Sequence, residues 1–502
     1  MKSFSVLFTI LLALSSSTFQ AQHKIGIFDG QISIGNPKVK GSATFNADNQ
    51  TYTIDGAGTN MWFEKDEFQY LWTTLQGDFI LRSTVNFEGK GKDPHRKAGW
   101  IIKNNLDDNS AHVNASTHGD GLTSLQYRKT VGGLTEEIKS SHENPTIIQL
   151  ERRGTTYIMS TAKFGEEFTS IELTDMDLDN EVYVGLYVCS HNPKVLERAT
   201  FSNVRIVKPV GDDYQAYSEY IGSNLELMDV ETGHREIIYH SAHSIQAPNW
   251  TVDGKKLIYN SKGRLYNYEL ETNSITPLNT GFAIKNNNDH VLTFDGKLLG
   301  ISHHNQDDNG DSALYYLPTN GDSNPKMVTK PGVGASYLHG WSPNNKEMIF
   351  TGDRNGAYNI FTVNVKSGKE EQLTDFPTLD DGPEYTKNGK TIFFNSDRTG
   401  TMQLYSMKAN GKKQTQLTFD DYNDWFPHVS PDQKWIAFIS FPKEIKSNDH
   451  PFYKHCMLRI MPIKGGKPKV IAHIYGGQGT INVPSWSPDS KKIAFITNTD
   501  SY

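Results

Sequence analysis

In the second half of the chain, short alternating runs of large apolar and polar residues recur behind the same kind of turn. The runs are "KLIYN" at 256–260, "EMIFTG" at 347–352, "TIFFNS" at 391–396, "WIAFIS" at 435–440 and "KIAFIT" at 492–497. Each follows a turn resembling Ser-Pro-Asp-x-Lys and a short strand before it. The complete copies add a "DRxG" loop, a third strand, an "xxGK" turn and a fourth strand ending in Leu-Thr. A weaker copy, "NDHVLTFDGKLLGISHH", fills the gap after the first. Aligned on Pro248, His290, His339, Pro383, Pro427 and Pro484, the units recur at a period in the forties, stretched to 57 residues at the last step. Period-two alternation predicts strands, and four strands at that repeat length predict a β-propeller blade.

A blade has two apolar faces and cannot bury both alone. Neighbours in a closed ring bury them for one another, and closure protects the strand edges. There are six unit starts, but the chain ends after the second strand of the sixth. The segment Ser223–His240, "SNLELMDVETGHREIIYH", has the pattern of a third strand, a Gly turn and a fourth strand. It is expected to complete the sixth blade and lock the ring.

Residues 23–210 lack this repeat. Runs such as "TYTID", "DFILRSTVNFEG", "AGWIIKN", "TIIQLERRG" and "VYVGLYVCS" alternate between Gly- and Asn-rich turns, predicting an antiparallel β-sandwich. The fold class is therefore all-β: a sandwich over 23–210, then a six-bladed propeller over 211–502. In "AHVNASTHGDG", alternation puts His112, Asn114, Ser116 and His118 on one sheet face; in "SLQYRK", Gln126 and Arg128 share a face. If these strands pair through "HGDG", their polar side chains form one hydrogen-bonding patch. A sugar would use such a patch beside an aromatic platform, for which Trp62, Trp72 and Trp100 are the candidates. The plainer reading is a solvated outer face. His95, Arg96 and His191 add polar groups in "DPHRKAG" and "CSHN".

The chain starts with Lys2, an apolar run from Phe4 to Leu14 and small polar residues, the pattern of a secretory leader cut near Ala21–Gln22. The run is shorter than the roughly 20 residues a spanning helix needs. The expectation for residues 1–22 is removal, leaving a periplasmic or secreted protein that does not span the membrane. A net charge of −7 argues against nucleic acid as a partner. Cys189 and Cys456 are the only two cysteines; separate domains and unsuitable spacing predict two buried thiols.

The units Trp341–Thr374, Thr391–Thr418 and Trp486–Ile496 resemble the TolB-type propeller repeat, a resemblance extending from Tyr214 to Tyr502. It implies a six-bladed periplasmic propeller that acts by binding partners. The stretch from "GDFIL" to "ATFSNVRI" resembles the concanavalin-like jelly-roll domain of unknown function found on exported carbohydrate-related proteins, which implies a fold and points towards sugars. The long insertion "FPKEIKSNDHPFYKHCMLRIMPIKGG" departs from the propeller repeat.

In an up-and-down blade, the loops before the first strand and between the second and third open on one ring face. Those loops carry Gln246, Asp289, His290, Tyr337, His339, Asp380, Asp381, Glu384, Asp424, His428, Gln478 and Asn482, then "HHNQDDNGD" at 303–311, Asp353–Arg354, Asp397–Arg398, Asp449, His450 and His455. The other face receives short turns. A binding funnel is expected on the polar side. His290, His339 and His428, with Glu384, are the candidate ligands should a divalent metal bind there. Arg354 and Arg398 recur with the repeat, which favours a turn role over catalysis. No nucleophile elbow, His-Glu-x-x-His motif or dinucleotide fingerprint occurs, "GGQGT" lacks a phosphate-loop lysine, and no α/β-hydrolase domain is present.

Two functions remain open. The first is a binding protein whose funnel engages a protein or glycan, with the sandwich as a second carbohydrate contact. The second is a polysaccharide lyase or glycoside hydrolase. A lyase needs a base and a cation or Arg beside the developing charge, for which His290, His339, His428, Arg354 and Arg398 are the candidates. Convergence of three or more of His290, His339, Glu384, His428 and Gln478 on one metal would favour the enzyme.

Overall fold

The computed structural model describes residues 24–500 except 212, 216, 306–309 and 355. The leader read at 1–22 and part of the Asp-rich loop at 303–311 lie outside the described residues. Among these residues every regular element is a β-strand, and no helix is long and apolar enough to cross a membrane.

The N-terminal half is two seven-stranded antiparallel sheets. One contains, in spatial order, Gly30–Ile34, Phe68–Gln76, Glu181–Cys189, Lys97–Lys103, His112–His118, Thr123–Arg128 and Glu136–Lys139. The other contains Thr169–Leu173, Thr156–Ala162, Ile147–Arg153, Phe79–Phe87, Asn192–Val207, Thr51–Gly58 and Ser42–Asn46. Their facing sides share one core, to which Trp100, Val113, Leu125 and Val184 come from the first sheet and Leu81, Leu150, Met159 and Phe201 from the second. The first sheet also buries its outer face. There Ile34, Phe68, Tyr70, Ile101 and Tyr187 pack with Met61 of the segment between Thr51–Gly58 and Phe68–Gln76.

The C-terminal half is a six-bladed propeller. Five blades are contiguous four-stranded sheets starting at Gln246, Asn286, Ser336, Asp380 and Asn423. The sixth joins both ends of the domain, as its sequence pattern predicts. Gly222–Asp229 pairs with Lys492–Thr499 from Gly222↔Thr499 to Asp229↔Lys492, and Arg235–Ser241 lies outside it. A bridge between Trp486 and Ile493 supplies the inner edge. Alternation distributes this blade between its neighbours. Leu225, Leu227, Ala494 and Ile496 pack on Leu257, Tyr259 and Tyr268 of the first blade; Met228, Ile493 and Phe495 pack with Trp425 and Ile439 of the fifth.

The recurrent turn has one construction in all six blades. A Ser or Thr hydroxyl (Thr251, Thr293, Ser342, Thr386, Ser430, Ser487) donates to the Asp or Asn two residues on, at 2.6–2.9 Å. The same oxygen accepts the backbone N–H five residues on, at 2.8–3.2 Å. The third residue after the hydroxyl is left-handed, φ 58–72°, and is Gly254, Gly296, Asn345, Gly389, Gln433 or Ser490. This side-chain geometry explains why Ser or Thr and Asp or Asn recur at fixed offsets.

The sandwich's second sheet packs against the fifth and sixth blades. Ile80 and Val207 cluster with Phe452, Tyr453 and Tyr475. Phe168 stacks on His473 with ring centroids 3.6 Å apart. Buried Glu226 of the sixth blade accepts from Arg205 of the sandwich at 2.7 Å, from Arg235 at 2.9 Å and from Thr497 at 2.5 Å. Cys189 and Cys456 are both free and buried.

Candidate binding funnel

The first strand of each blade runs along the ring axis, so the residues at its start converge on one mouth. Asn287, Asn288 and Asp289 come from the second blade, Tyr337 and His339 from the third, Asp381 from the fourth and Phe426 from the fifth. Gln478 and Asn482 precede the sixth. The ends of the second and third strands and the loops between them add His304, Tyr358, Asp397 and His450 around the rim. Together they enclose about 800 Å3. An adjoining cavity of about 600 Å3 shares Tyr217, Asn287, Asn288, His304 and Gln478 and adds Gln246 and Asn260. The polar mouth is therefore on the side with the long loops.

Its floor holds coupled acid–base groups. The Asp381 carboxylate lies 3.1 Å from His339 Nε2 and accepts from Thr351 Oγ1 at 2.6 Å and from the Gly382 N–H at 2.7 Å. Burial alone would raise Asp381, but the charge and hydrogen bond of His339 outweigh it and hold the carboxyl well below its ordinary range. Burial opposes charge on His339, yet Asp381 pulls its pKa upward. Asp289, from the neighbouring blade, is pushed up to about 6, chiefly by burial; His339 counteracts this and the negative Asp381 adds to it. Burial also keeps His450 on the neutral side, where its ring meets Trp425 edge-on at 4.5 Å.

The remaining propeller candidates are spread out. His290 directs Nδ1 to the Asn288 carbonyl at 2.9 Å and Nε2 to that of Ile258 at 3.1 Å, and burial lowers it to about 4. His428 faces Glu384 through Nδ1 at 2.8 Å, while its Nε2 meets the Ile481 carbonyl. Glu384 also accepts the Val429 N–H at 3.0 Å, so this pair ties the fourth, fifth and sixth blades together. Among the described residues, no cluster of three His, Cys, Asp or Glu ligands includes His290, His339 or His428. Gln478 and Asn482 do meet, with Asn482 Nδ2 donating to Gln478 Oε1 at 3.0 Å. Arg354 is spent on Glu370 at 2.9 Å and on the Gly334 and Ala335 carbonyls. Arg398 pairs with Asp380 at 2.9 Å and lies over Tyr405 and Phe376. Both arginines brace their own blade.

The comparisons agree with this architecture. Residues 323–451 match the TolB β-propeller domain. An uncharacterized protein of Agrobacterium fabrum is 37% identical over 275 residues, which is 55% of this chain and 92% of that protein. The solved structure of a protein assigned as TolB from Agrobacterium tumefaciens is 36% identical with a TM-score of 0.53, covering 56% of this chain and 100% of that one. The chain belongs to the TolB-like β-propeller family. TolB from Acinetobacter baumannii is 19% identical, TM-score 0.41, covering 51% of this chain and 64% of that one.

This TolB-like propeller also has an opposite mouth, on the side of the short turns. A cavity of about 230 Å3 there is lined by Trp250, Phe294, Trp341, Tyr385, Pro431, Trp486 and Pro488 among others, so that all six blades contribute. The signal was present in the aligned "NW", "GW", "EY" and "SW" pairs that end the first strands. In the sandwich of the same chain, His112↔Arg128 and Asn114↔Gln126 are cross-strand partners, so these polar residues do form one patch. The patch is not open: His112, Asn114, Gln126 and Arg128 have no exposed surface and His118 has 5%. Asn60 Oδ1 accepts from Lys97 at 3.0 Å and the Phe63 carbonyl from Arg128 at 2.6 Å, holding that covering segment over this face. Asp66 then pairs with Lys103 and Arg128, each at 2.7 Å. Trp100 points the other way, into the core between the sheets, with Nε1 on Ser83 Oγ at 3.0 Å. It cannot act as the patch's platform. Its strand is buried on both faces, and alternation gave no contrast by which to orient it.

Proposed function

We propose that this TolB-like chain is an exported binding protein, periplasmic or secreted, whose propeller funnel receives a polar partner, either a protein segment or a glycan. The observation that carries this reading is the funnel itself. Carboxylate, imidazole and amide groups converge on one mouth, lined on one side by Tyr337 and Tyr358 of the third blade, whose rings are 6.3 Å apart. Tyrosine faces bury apolar area while keeping a polar edge, and amides supply directional hydrogen bonds, a combination suited to peptide backbone or sugar hydroxyls. The scattering of His290, His339 and His428 favours binding over metal-assisted chemistry. The test is a glycan array together with affinity capture from the cell envelope, each comparing the native chain with Tyr337→Ala/Tyr358→Ala. A partner retained by the native protein and lost by the double variant supports the reading; equal retention refutes the funnel as the site.

A second reading, a glycoside hydrolase at the same funnel, is favoured by Asp289 and Asp381. These carboxyls line one cavity and have their pKa values driven apart, Asp289 upward and Asp381 downward, as an acid and a carboxylate partner need to be. Release of reducing ends from oligosaccharides, abolished by Asp289→Asn, would establish it. Partner binding without turnover would remove it.

A further inference from the structure

At one end of the sandwich, we infer a binding site for a divalent transition-metal ion of the zinc class, built by His95, His118 and Asp120 with His191 and Asp93 beside them. One ligand atom from each of His95, His118 and Asp120 lies within 4.8 Å of the others. The His191 ring centroid is 5.6 Å from that of His95, and His191 Nδ1 is 3.3 Å from Asp93 Oδ2.

Strand register produces this meeting. Lys97 pairs with His118 on one side and with Cys189 on the other, so three adjacent strands end in one row. The residues at those ends are His95, the His118–Asp120 turn and His191. Backbone bonds clamp the loops together: Gly119 N–H donates to the Arg96 carbonyl at 2.9 Å and Asp120 N–H to that of Pro94 at 2.8 Å. Arg96 is itself fixed by Glu197 at 2.7 Å. The ligands are held before any ion arrives, which lowers the ordering cost of binding.

An independent observation comes from His118, which is 5% exposed and has no hydrogen-bond partner at Nδ1. Its Nε2 is 3.3 Å from Gln126 Nε2, while Gln126 Oε1 also lacks a partner. Turning the Gln126 amide over gives its oxygen a partner and leaves His118 Nδ1 unpaired. The amide oxygen then accepts the His118 Nε2–H, and the Nδ1 lone pair is free to ligate, the outer-sphere arrangement common for metal-bound imidazoles. Imidazole nitrogen with carboxylate oxygen suits zinc-class ions, and the exposure of His95 and Asp120 leaves an open coordination side. The opposing charge is Lys97, whose Nζ is engaged by Asn60 at 3.0 Å. Asp93 and Asp120 oppose it with two negative charges.

The test is calorimetric titration of the untagged full chain with zinc chloride, with bound zinc measured after gel filtration. The native protein should retain one zinc per chain. Gln126→Leu should weaken that event about 10- to 100-fold, and His95→Ala/Asp120→Asn should abolish it. Because His95 and Asp120 are exposed, the double variant should keep the native unfolding midpoint in EDTA, which separates loss of the site from loss of the fold. No stoichiometric zinc in the native chain, or an event unchanged in the double variant, would overturn the assignment.

Discussion

Arg354, Arg398 and Arg459 in the propeller are withdrawn from water, as are His112, Asn114 and Gln126 in the sandwich, but the two sets are satisfied very differently. Each propeller arginine meets a carboxylate of its own blade, Glu370, Asp380, or Asp420 with Asp424, and lies over aromatic rings. In the sandwich, Asn114 Nδ2 has no hydrogen-bond partner, His112 has none closer than the 3.6 Å approach of its Nδ1 to Asp66 Oδ2, and Gln126 Oε1 finds one only with its amide turned over. A repeated blade offers each position the same local neighbours, so one solution serves several times. The sandwich's outer face is instead closed by a single segment, Asn60–Asp66, whose groups reach only some of the polar atoms beneath it. Buried polar atoms without partners are costly, and in a native protein they point to a stability cost retained for another purpose. The funnel and the His95 cluster illustrate the two regimes: one is a product of ring symmetry, the other of register between particular strands.

The strongest way to break the contrast is to open the ring. Ending the chain at Lys491 removes the strand that pairs with Gly222–Asp229; the propeller should lose its cooperative unfolding transition, read by calorimetry, while the sandwich's own core is untouched by the cut. Next comes Glu226, where the two halves meet. Burial alone would raise it, but Arg205 and Arg235 bring it down to about 2. Its folded pKa lies below the unfolded value, so the stabilisation is complete above about 4.5 and is lost as pH falls towards 2. Glu226→Gln strands two buried guanidinium groups and should cost about 3–5 kcal/mol in urea unfolding at pH 7, with a flatter acid limb.

A smaller effect sharpens the propeller side. Ser430→Ala deletes a hydroxyl that donates to Asp432 at 2.6 Å and accepts from Trp435 N–H at 3.0 Å; a loss of about 1 kcal/mol is expected from urea midpoints. The smallest change at neutral pH is expected for His112→Leu, which removes a residue whose Nδ1 stands 3.6 Å from Asp66 Oδ2, beyond normal hydrogen-bond length, and should alter stability by less than about 1 kcal/mol. Burial depresses His112 to about 3. Folding therefore excludes a proton that the unfolded chain binds below about 6.5, and native stability falls as pH drops from there towards 3. His112→Leu lacks that slope and should exceed the native chain at pH 5. A loss above about 2 kcal/mol at neutral pH would show that the approach of His112 to Asp66 is a working interaction and would erase the contrast with the propeller arginines.

Much of the architecture is legible in the sequence. Alternating runs and the hydroxyl–Asp turn at fixed offsets identify strands and blades, because both depend on residues within five positions of one another. The two-part sixth blade followed from counting strands, and the polar mouth followed from which loops share a face. The fates of individual side chains were not readable in this way. His290 and His339 align in the repeat, yet one is bound to backbone carbonyls and the other faces Asp381 in the funnel. Arg354 and Arg398 look like charge stabilisers until their carboxylate partners are seen.

The sequence by itself determined the strand periods, the six-unit ring, its closure by distant segments and the face carrying the long polar loops, since these follow from the pleat, the turn geometry and the need to bury two faces of every blade. Only the tertiary structure decided that Trp100 turns inward, that Asn60–Asp66 covers the sandwich patch, and that His95, His118 and His191 meet at one edge. Those outcomes depend on inter-sheet packing and on register between strands far apart in the chain, where a slip of one residue would send every side chain to the opposite face.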